Sequence, residues 1–99
     1  MMKLQPPPIQ LLPAFEAVAR HLSFKQAAVE LHVTPSAISQ QVKNLEGQLD
    51  TVLFERQTRA VKLTAIGHEY FKLASELLNH YREGHANIQQ SLATPTIRL

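Results

Sequence analysis

This 99-residue chain contains no cysteine. That one absence excludes disulfides, thiolate metal sites and cysteine nucleophiles together. Glycine occurs only three times, too sparsely for a glycine-rich loop that could cradle phosphate. No apolar run approaches the length needed to span a bilayer. The opening MMKLQPPPIQ lacks an apolar stretch followed by a small-residue cleavage site, so no signal peptide is visible and a cytoplasmic protein is expected. Charge of one sign is scarce as well. The formal net charge of +2 is too small to indicate a nucleic-acid partner by itself. Between Lys43 and Lys62 the bases Lys43, Arg56, Arg59 and Lys62 are interspersed with Glu46, Asp50 and Glu55. DNA affinity would therefore come from a few placed cations and helix N-terminal amides, not from a broad basic field.

Catalytic and metal chemistry find no support in the spacing. Serine, histidine and aspartate are present, but no nucleophile elbow joins them. His80 and His85 are five apart, on different sides of a helix, with no cysteine or carboxylate to complete a tetrahedron. His21 and His32 flank helix ends, and His68 lies beside Glu69 in a first helical turn. All five histidines read as structural or solvent-facing. No enzyme, metal or cofactor is expected.

What is present is concentrated in SFKQAAVELHVTPSAISQQVKNL, Ser23 to Leu45. Ser23 is an N-cap, and Gln26 three residues later completes a capping-box pattern. The helix that follows runs to about Leu31 and turns Phe24, Ala27, Ala28 and Leu31 inward. His32-Val33 forms a tight turn with His32 in the left-handed region, which histidine tolerates better than most side chains. Thr34 then caps another helix and Pro35 presets its first turn. On this helix Ile38, Val42, Leu45 and Leu49 form an apolar stripe, while Pro35, Ser36, Ser39, Gln40 and Lys43 occupy another side. No carboxylate lies between Leu31 and Leu45. A helix buried on one face and offering Ser, Gln and Lys on the other suits a DNA groove.

The flanking segments complete a mainly α architecture: a winged helix-turn-helix followed by a long linker and dimerisation helix. Residues 1–9 read as an extended proline-rich arm. Residues 10–63 form the DNA-binding unit, whose first helix begins between Gln10 and Pro13 and turns Leu12, Phe15, Val18, Ala19 and Leu22 inward. The third helix ends near Leu49, with Asp50 just beyond it. Two β-prone runs, Leu53–Arg56 and Val61–Thr64, form a small hairpin wing. Arg56 reads as the partner of a nearby acid holding that hairpin. Thr64 caps a long helix through residues 64–93, about 42 Å if it runs from Ala65 to Leu92. Its apolar positions Ile66, Tyr70, Ala74, Leu77, Tyr81, Ile88 and Leu92 overhang the small core, with Phe71, Leu73 and Leu78 beside them. That predicts a partner helix, most simply the same helix of a second copy. Residues 94–99, TPTIRL, read as the first strand of a domain the chain does not contain.

The order RHLSFKQAAVELHVTPSAISQQVKNLE, LFER, VKLTAIG and a long helix resembles the amino-terminal domain of LysR-type transcriptional regulators, from about Leu11 to Leu92. The opening PPPIQLLPAFEAVARHLSF with VTPSAISQQVK further resembles the branch of glycine-cleavage activators and β-lactamase regulators. The resemblance implies a homodimer, often a tetramer in the complete protein. It also implies double-stranded DNA as partner, and a small-molecule effector acting only through an absent domain of two α/β lobes in a regulator roughly three times longer. Carried over by position, Pro35, Ser36, Ser39 and Gln40 approach base edges, Thr34 and Lys43 lie near phosphates, and Arg59 enters or borders the minor groove. Three positions depart from the family pattern. Gln40 stands where Arg is common, so adenine pairing replaces a charged contact. Pro35 stands where Gln is frequent, and Asp50 where Gly usually follows the helix. Two other classes of function stay open. One is a winged helix that docks a protein, which should expose large apolar anchors on the third helix. The other is a dimerisation module without specific DNA binding.

Overall fold

The computed structural model describes residues 5–58 and 60–93. A 3-10 turn at Ile9–Leu11 leads into helix α1 (Leu12–His21), followed by α2 (Phe24–Leu31) and α3 (Pro35–Leu49). Strands β1 (Phe54–Gln57) and β2 (Ala60–Leu63) form an antiparallel hairpin, and α4 (Ala65–Ala93) closes the order. The hairpin pairs Phe54 with Leu63 and Gln57 with Ala60, one residue later at its start than the sequence suggests. Residues 1–4 of the arm and the 94–99 strand expectation lie outside the described residues. No helix among the described residues is long and apolar enough to cross a membrane.

The helix boundaries follow from local chemistry. The Ser23 hydroxyl accepts from the Gln26 N–H at 3.0 Å, and Thr34 Oγ1 accepts from the Ala37 N–H at 3.1 Å. Each bond satisfies a donor the first helical turn leaves without a partner. Pro13 and Pro35 sit in first turns, where a missing N–H removes no helical bond. The ends of α2 and α3 share one device. His32 (φ 58°) and Asp50 (φ 53°) adopt the left-handed conformation, so that Val33 and Thr51 donate back to Ala28 O and Glu46 O.

The end of α1 departs from expectation. Leu22 was assigned to the inner face but is left-handed (φ 52°) and half-exposed. Only Leu22 and Ser23 separate α1 from α2, so Leu22 is the joint itself and its side chain turns outward.

Phe15 organises the core. It is fully buried, 5.4 Å from the Phe54 ring on β1 and 5.7 Å edge-on from Tyr70 on α4, while Phe24 on α2 reaches Phe54 at 5.9 Å. These offset and edge-on arrangements match the preferred geometry of aromatic pairs. One set of rings thus ties α1, α2, the wing and α4. Ala27 and Ala28 are buried where α2 meets its neighbours, so the helices approach closely.

The core also holds a carboxylate. Glu16 is 3 % exposed, and its oxygens accept from Arg20 Nε at 2.9 Å and Nη2 at 3.1 Å. The same guanidinium forks onto Glu30 of α2 at 2.8 and 2.6 Å, and His21 Nε2 lies 2.6 Å from Glu30 Oε1. Hydrogen bonds from Arg20 and then His21 pull the Glu30 carboxyl down to about 2 from 4.5. Bonds to Glu16 and Glu30 raise Arg20 further above its ordinary range.

Two predictions follow from these contacts. A Cβ on Gly67 would stand 2.1 Å from Leu53 O, a backbone atom that cannot yield locally. Gly67→Ala should therefore destabilise by about 1–3 kcal/mol, read as a drop of about 4–8 °C in Tm per kcal/mol. An unchanged Tm would refute the close approach. Glu30 has a depressed folded pKa, so its contribution is fully present above about pH 4.5 and fades as pH falls toward about 2. Glu30→Gln should lower stability at neutral pH by a few tenths to about 1 kcal/mol, because the pair is partly exposed. The difference from the parent should shrink on acidification below about pH 4.5. A gap constant with pH would show that the ionised carboxylate is not its source.

Candidate nucleic-acid interface

Helix α3 separates two chemistries around its circumference. Ile38, Val42 and Leu45 are fully buried against α1 and α2, and Leu49 packs at the edge of the same core. Pro35, Ser36, Gln40 and Lys43 face outward, Ser39 is half-buried beside them, and Thr34 is exposed at the cap. Six of the seven sequence-assigned contact residues thus lie at or along one edge of α3. The seventh, Arg59, lies outside the described residues.

Of the first turn of α3, Pro35 has no N–H and Thr34 takes those of Ala37 and Ile38, which leaves the Ser36 N–H at the end where an anion is favoured. Lys43, two turns along, is exposed and makes no ion pair among the described residues. The arrangement offers short polar side chains, a flexible amide and one ammonium on a convex ridge. Such a ridge fits a groove about 12 Å wide. No cleft gathers acid–base pairs there, and among the described residues no three His, Cys, Asp or Glu side chains converge as metal ligands.

The wing is joined to this helix by a residue the sequence reading gave no role. Glu46 Oε2 accepts from the N–H of Leu53 at 2.7 Å and of Phe54 at 3.3 Å. Helix α3 therefore holds the first residues of β1 with its own carboxylate. At the other side of that junction Thr64 Oγ1 donates to Val52 O at 2.9 Å and accepts from Gly67 N–H at 2.9 Å. No local signal marks Glu46, because its partners are backbone amides seven and eight residues away. Arg56 was expected to pair with an acid. Its guanidinium carbon instead lies 4.6 Å from the centre of the Phe24 ring, a cation–π contact between wing and α2.

Helix α4 carries two apolar stripes where the sequence suggests one. Gly67, Ala74 and Leu78 are buried against the domain, and Tyr70 is half-buried against Phe15. Ala74 and Tyr70 therefore belong to the domain's own core and leave the dimerisation set. Ile66, Leu73, Leu77 and Tyr81 run one residue out of phase with the buried stripe and remain exposed, as do Ile88 and Leu92. Adjacent residues on a helix are about 100° apart, so the two sets face different directions. The single stripe read from sequence merged them because spacings of 3 and 4 fit either.

Residues 9–68 match the family described as bacterial regulatory helix-turn-helix protein, lysR family. The chain is 43 % identical over 83 residues to the glycine cleavage system transcriptional activator of Escherichia coli K12, covering 84 % of this chain and 27 % of that protein. It is 52 % identical over 69 residues to the transcriptional activator AmpR of Citrobacter freundii, covering 70 % and 24 %. The chain thus spans about a quarter of the length of the curated relatives it matches. Its fold is similar to the BenM DNA-binding domain in the crystal structure with catB site 1 DNA, with TM-score 0.79 and 30 % identity over 91 % of this chain and all of that one. The chain belongs to the LysR family of bacterial helix-turn-helix regulatory proteins.

Proposed function

We propose that this chain is the DNA-binding and dimerising part of a bacterial transcriptional regulator acting in the cytoplasm. It binds double-stranded DNA sequence-specifically, as a homodimer on an interrupted inverted repeat. The observation that carries this reading is the outward edge of α3, polar and free of carboxylate from Thr34 to Lys43, opposite a fully buried face. That edge has no large apolar anchor, which argues against a protein partner at the same surface. The role is one of binding, with no catalytic step.

Within this reading Pro35, Ser36, Ser39 and Gln40 meet base edges in the major groove. Thr34, the Ser36 N–H and Lys43 hold phosphates, and Arg59 borders the adjacent minor groove. Dimerisation uses Ile66, Leu77, Tyr81, Ile88 and Leu92, with Leu73 completing the exposed stripe. A two-fold dimer imposes two-fold symmetry on its operator, hence the inverted repeat. The resemblance that implies the dimer also allows a tetramer in the full-length regulator. Effector recognition is assigned to no residue of this chain.

The deciding experiment is selection of duplexes from a randomised pool by the purified chain. An enriched, interrupted inverted repeat supports the proposal, and absence of retention even at low salt overturns it. Gln40→Ala should change preference at particular base pairs by about 1–3 kcal/mol. A uniform loss across all sequences would remove Gln40 from base readout. Tyr81→Glu should halve the particle mass in light scattering while leaving the circular dichroism unchanged, because Tyr81 is 69 % exposed. A Tyr81→Glu protein that stays dimeric would place the seam elsewhere.

A further inference from the structure

Glu16 is the one charged residue buried among the described residues, and the proposed DNA and dimer contacts do not use it. An ionised carboxylate inside a protein is costly unless charge and hydrogen bonds meet it. Two guanidinium groups do so, from different elements. Arg20 belongs to α1 itself, and Arg82 of α4 brings Nη2 to 3.8 Å from Glu16 Oε1. Arg82 lies one turn beyond Leu78, the last buried residue of α4. Past Leu78 every described side chain of α4 is exposed. The buried acid therefore reaches the long helix where apolar packing stops holding it.

We infer that Glu16, acting through Arg82, fixes the direction in which α4 leaves the domain and so sets the half-site spacing the dimer accepts. The inference rests on the proposed function, because it concerns how two copies are spaced on one duplex. Helix α4 continues from Arg82 to Ala93, about 16 Å further at 1.5 Å per residue. A tilt of about 10° at Arg82 moves its end by about 3 Å, close to one base-pair step of about 3.4 Å. With the outer halves of two such helices clasped together, that tilt displaces each α3 relative to the other. Apolar contacts at Ala74 and Leu78 resist separation of the helices but resist rocking less, because they are non-directional. The buried Glu16 carboxylate, held in place by hydrogen bonds from Arg20, gives Arg82 one fixed charge to approach, which an apolar face does not. The Arg20 side continues to Glu30 and His21, so the same chain of contacts reaches α2.

The test compares the parent with Arg82→Ala and Arg82→Lys. Arg82 is about half-exposed, so both variants should fold, whereas replacing Glu16 risks the core. Duplexes bearing the selected inverted repeat are prepared with the spacer shortened or lengthened by single base pairs. The parent should prefer its best spacer over the adjacent ones by about tenfold, and Arg82→Ala should reduce this to about threefold or less, the size of effect a single substitution has on coupling between sites. Affinity for a single half-site should not change, and Arg82→Lys should keep most of the discrimination. An Arg82→Ala protein with the parental spacer profile overturns the inference. So does a profile altered only together with loss of dimer mass, which would make Arg82 a dimer contact.

A second readout needs no DNA. Nitroxides at Lys25 and Gln89, both exposed, report the distance between α2 and the outer part of α4 by pulsed dipolar spectroscopy, with labelled chain diluted into unlabelled. The distribution should widen in Arg82→Ala and stay narrow in Arg82→Lys; an unchanged width overturns the inference. If the parent selects no DNA, the proposed function falls and the spacing role falls with it, while the distance arm alone still decides whether the contact steers the helix.

Discussion

The backbone at Leu53 is the constraint on which the rest of the molecule depends. Its N–H is held by Glu46 of α3, its carbonyl accepts from Thr64 N–H at 3.0 Å, and its side chain is fully buried. Gly67 of α4 presses against that same carbonyl, with no room for a side chain between them. One residue therefore ties together the end of α3, the root of the wing and the start of α4. A buried amide without its acceptor costs on the order of 1–3 kcal/mol, so none of these partners is free to drift. The wing consequently moves with α3 as one body. In the proposed arrangement, where α3 and the wing meet one duplex, that coupling matters more than a large core.

The electrostatics follow a similar economy. The net charge is small, and the shortest ion pairs join α1 to α2 and involve no residue of α3. They form a chain from Glu16 through Arg20 to Glu30 and His21, locking α1 onto α2. Acid and base are thus consumed inside the scaffold, leaving the α3 edge with one ammonium and no competing carboxylate. Arg56 is similarly withdrawn, since its charge rests on Phe24. Affinity built on so few cations makes the side chains that touch bases count for a larger share of the total.

What the sequence revealed and what it hid divide along a physical line. Caps, the left-handed joints at His32 and Asp50 and the buried stripe of α3 were legible because each is decided within four residues, by Ser23, Thr34 and Pro35 among them, whereas the left-handed joint at Leu22 was not. The hairpin and its register were legible, and only the strand bounds lie one residue closer to the turn than the residue pattern suggests. The role of Glu46 was not, since a side chain that accepts from distant backbone amides leaves no local pattern. Glu16 stands in an apolar helix with Arg20 four residues on, a local ion-pair spacing that does not show the carboxylate to be buried. The double stripe of α4 stayed hidden because helical spacing alone cannot tell a core from a seam 100° away. Only the position of Phe15 and the wing decides which stripe is which.

The joints between helices have a consequence for how this chain can vary. Leu22, His32 and Asp50 each reverse direction at a single left-handed residue that carries a side chain. Glycine there would widen the freedom of the unfolded chain, whereas a side chain narrows it at some conformational strain in the fold. Branched residues such as valine or isoleucine are sterically barred from that region. Leu22 and His32 lie at the surface, where a scan of exposure alone would rate them freely replaceable. Mutational tolerance in this domain should therefore track backbone handedness rather than burial: permissive along the outer edge of α3, where new operators can be learned, and restrictive at three exposed hinges that never touch DNA in the proposed arrangement.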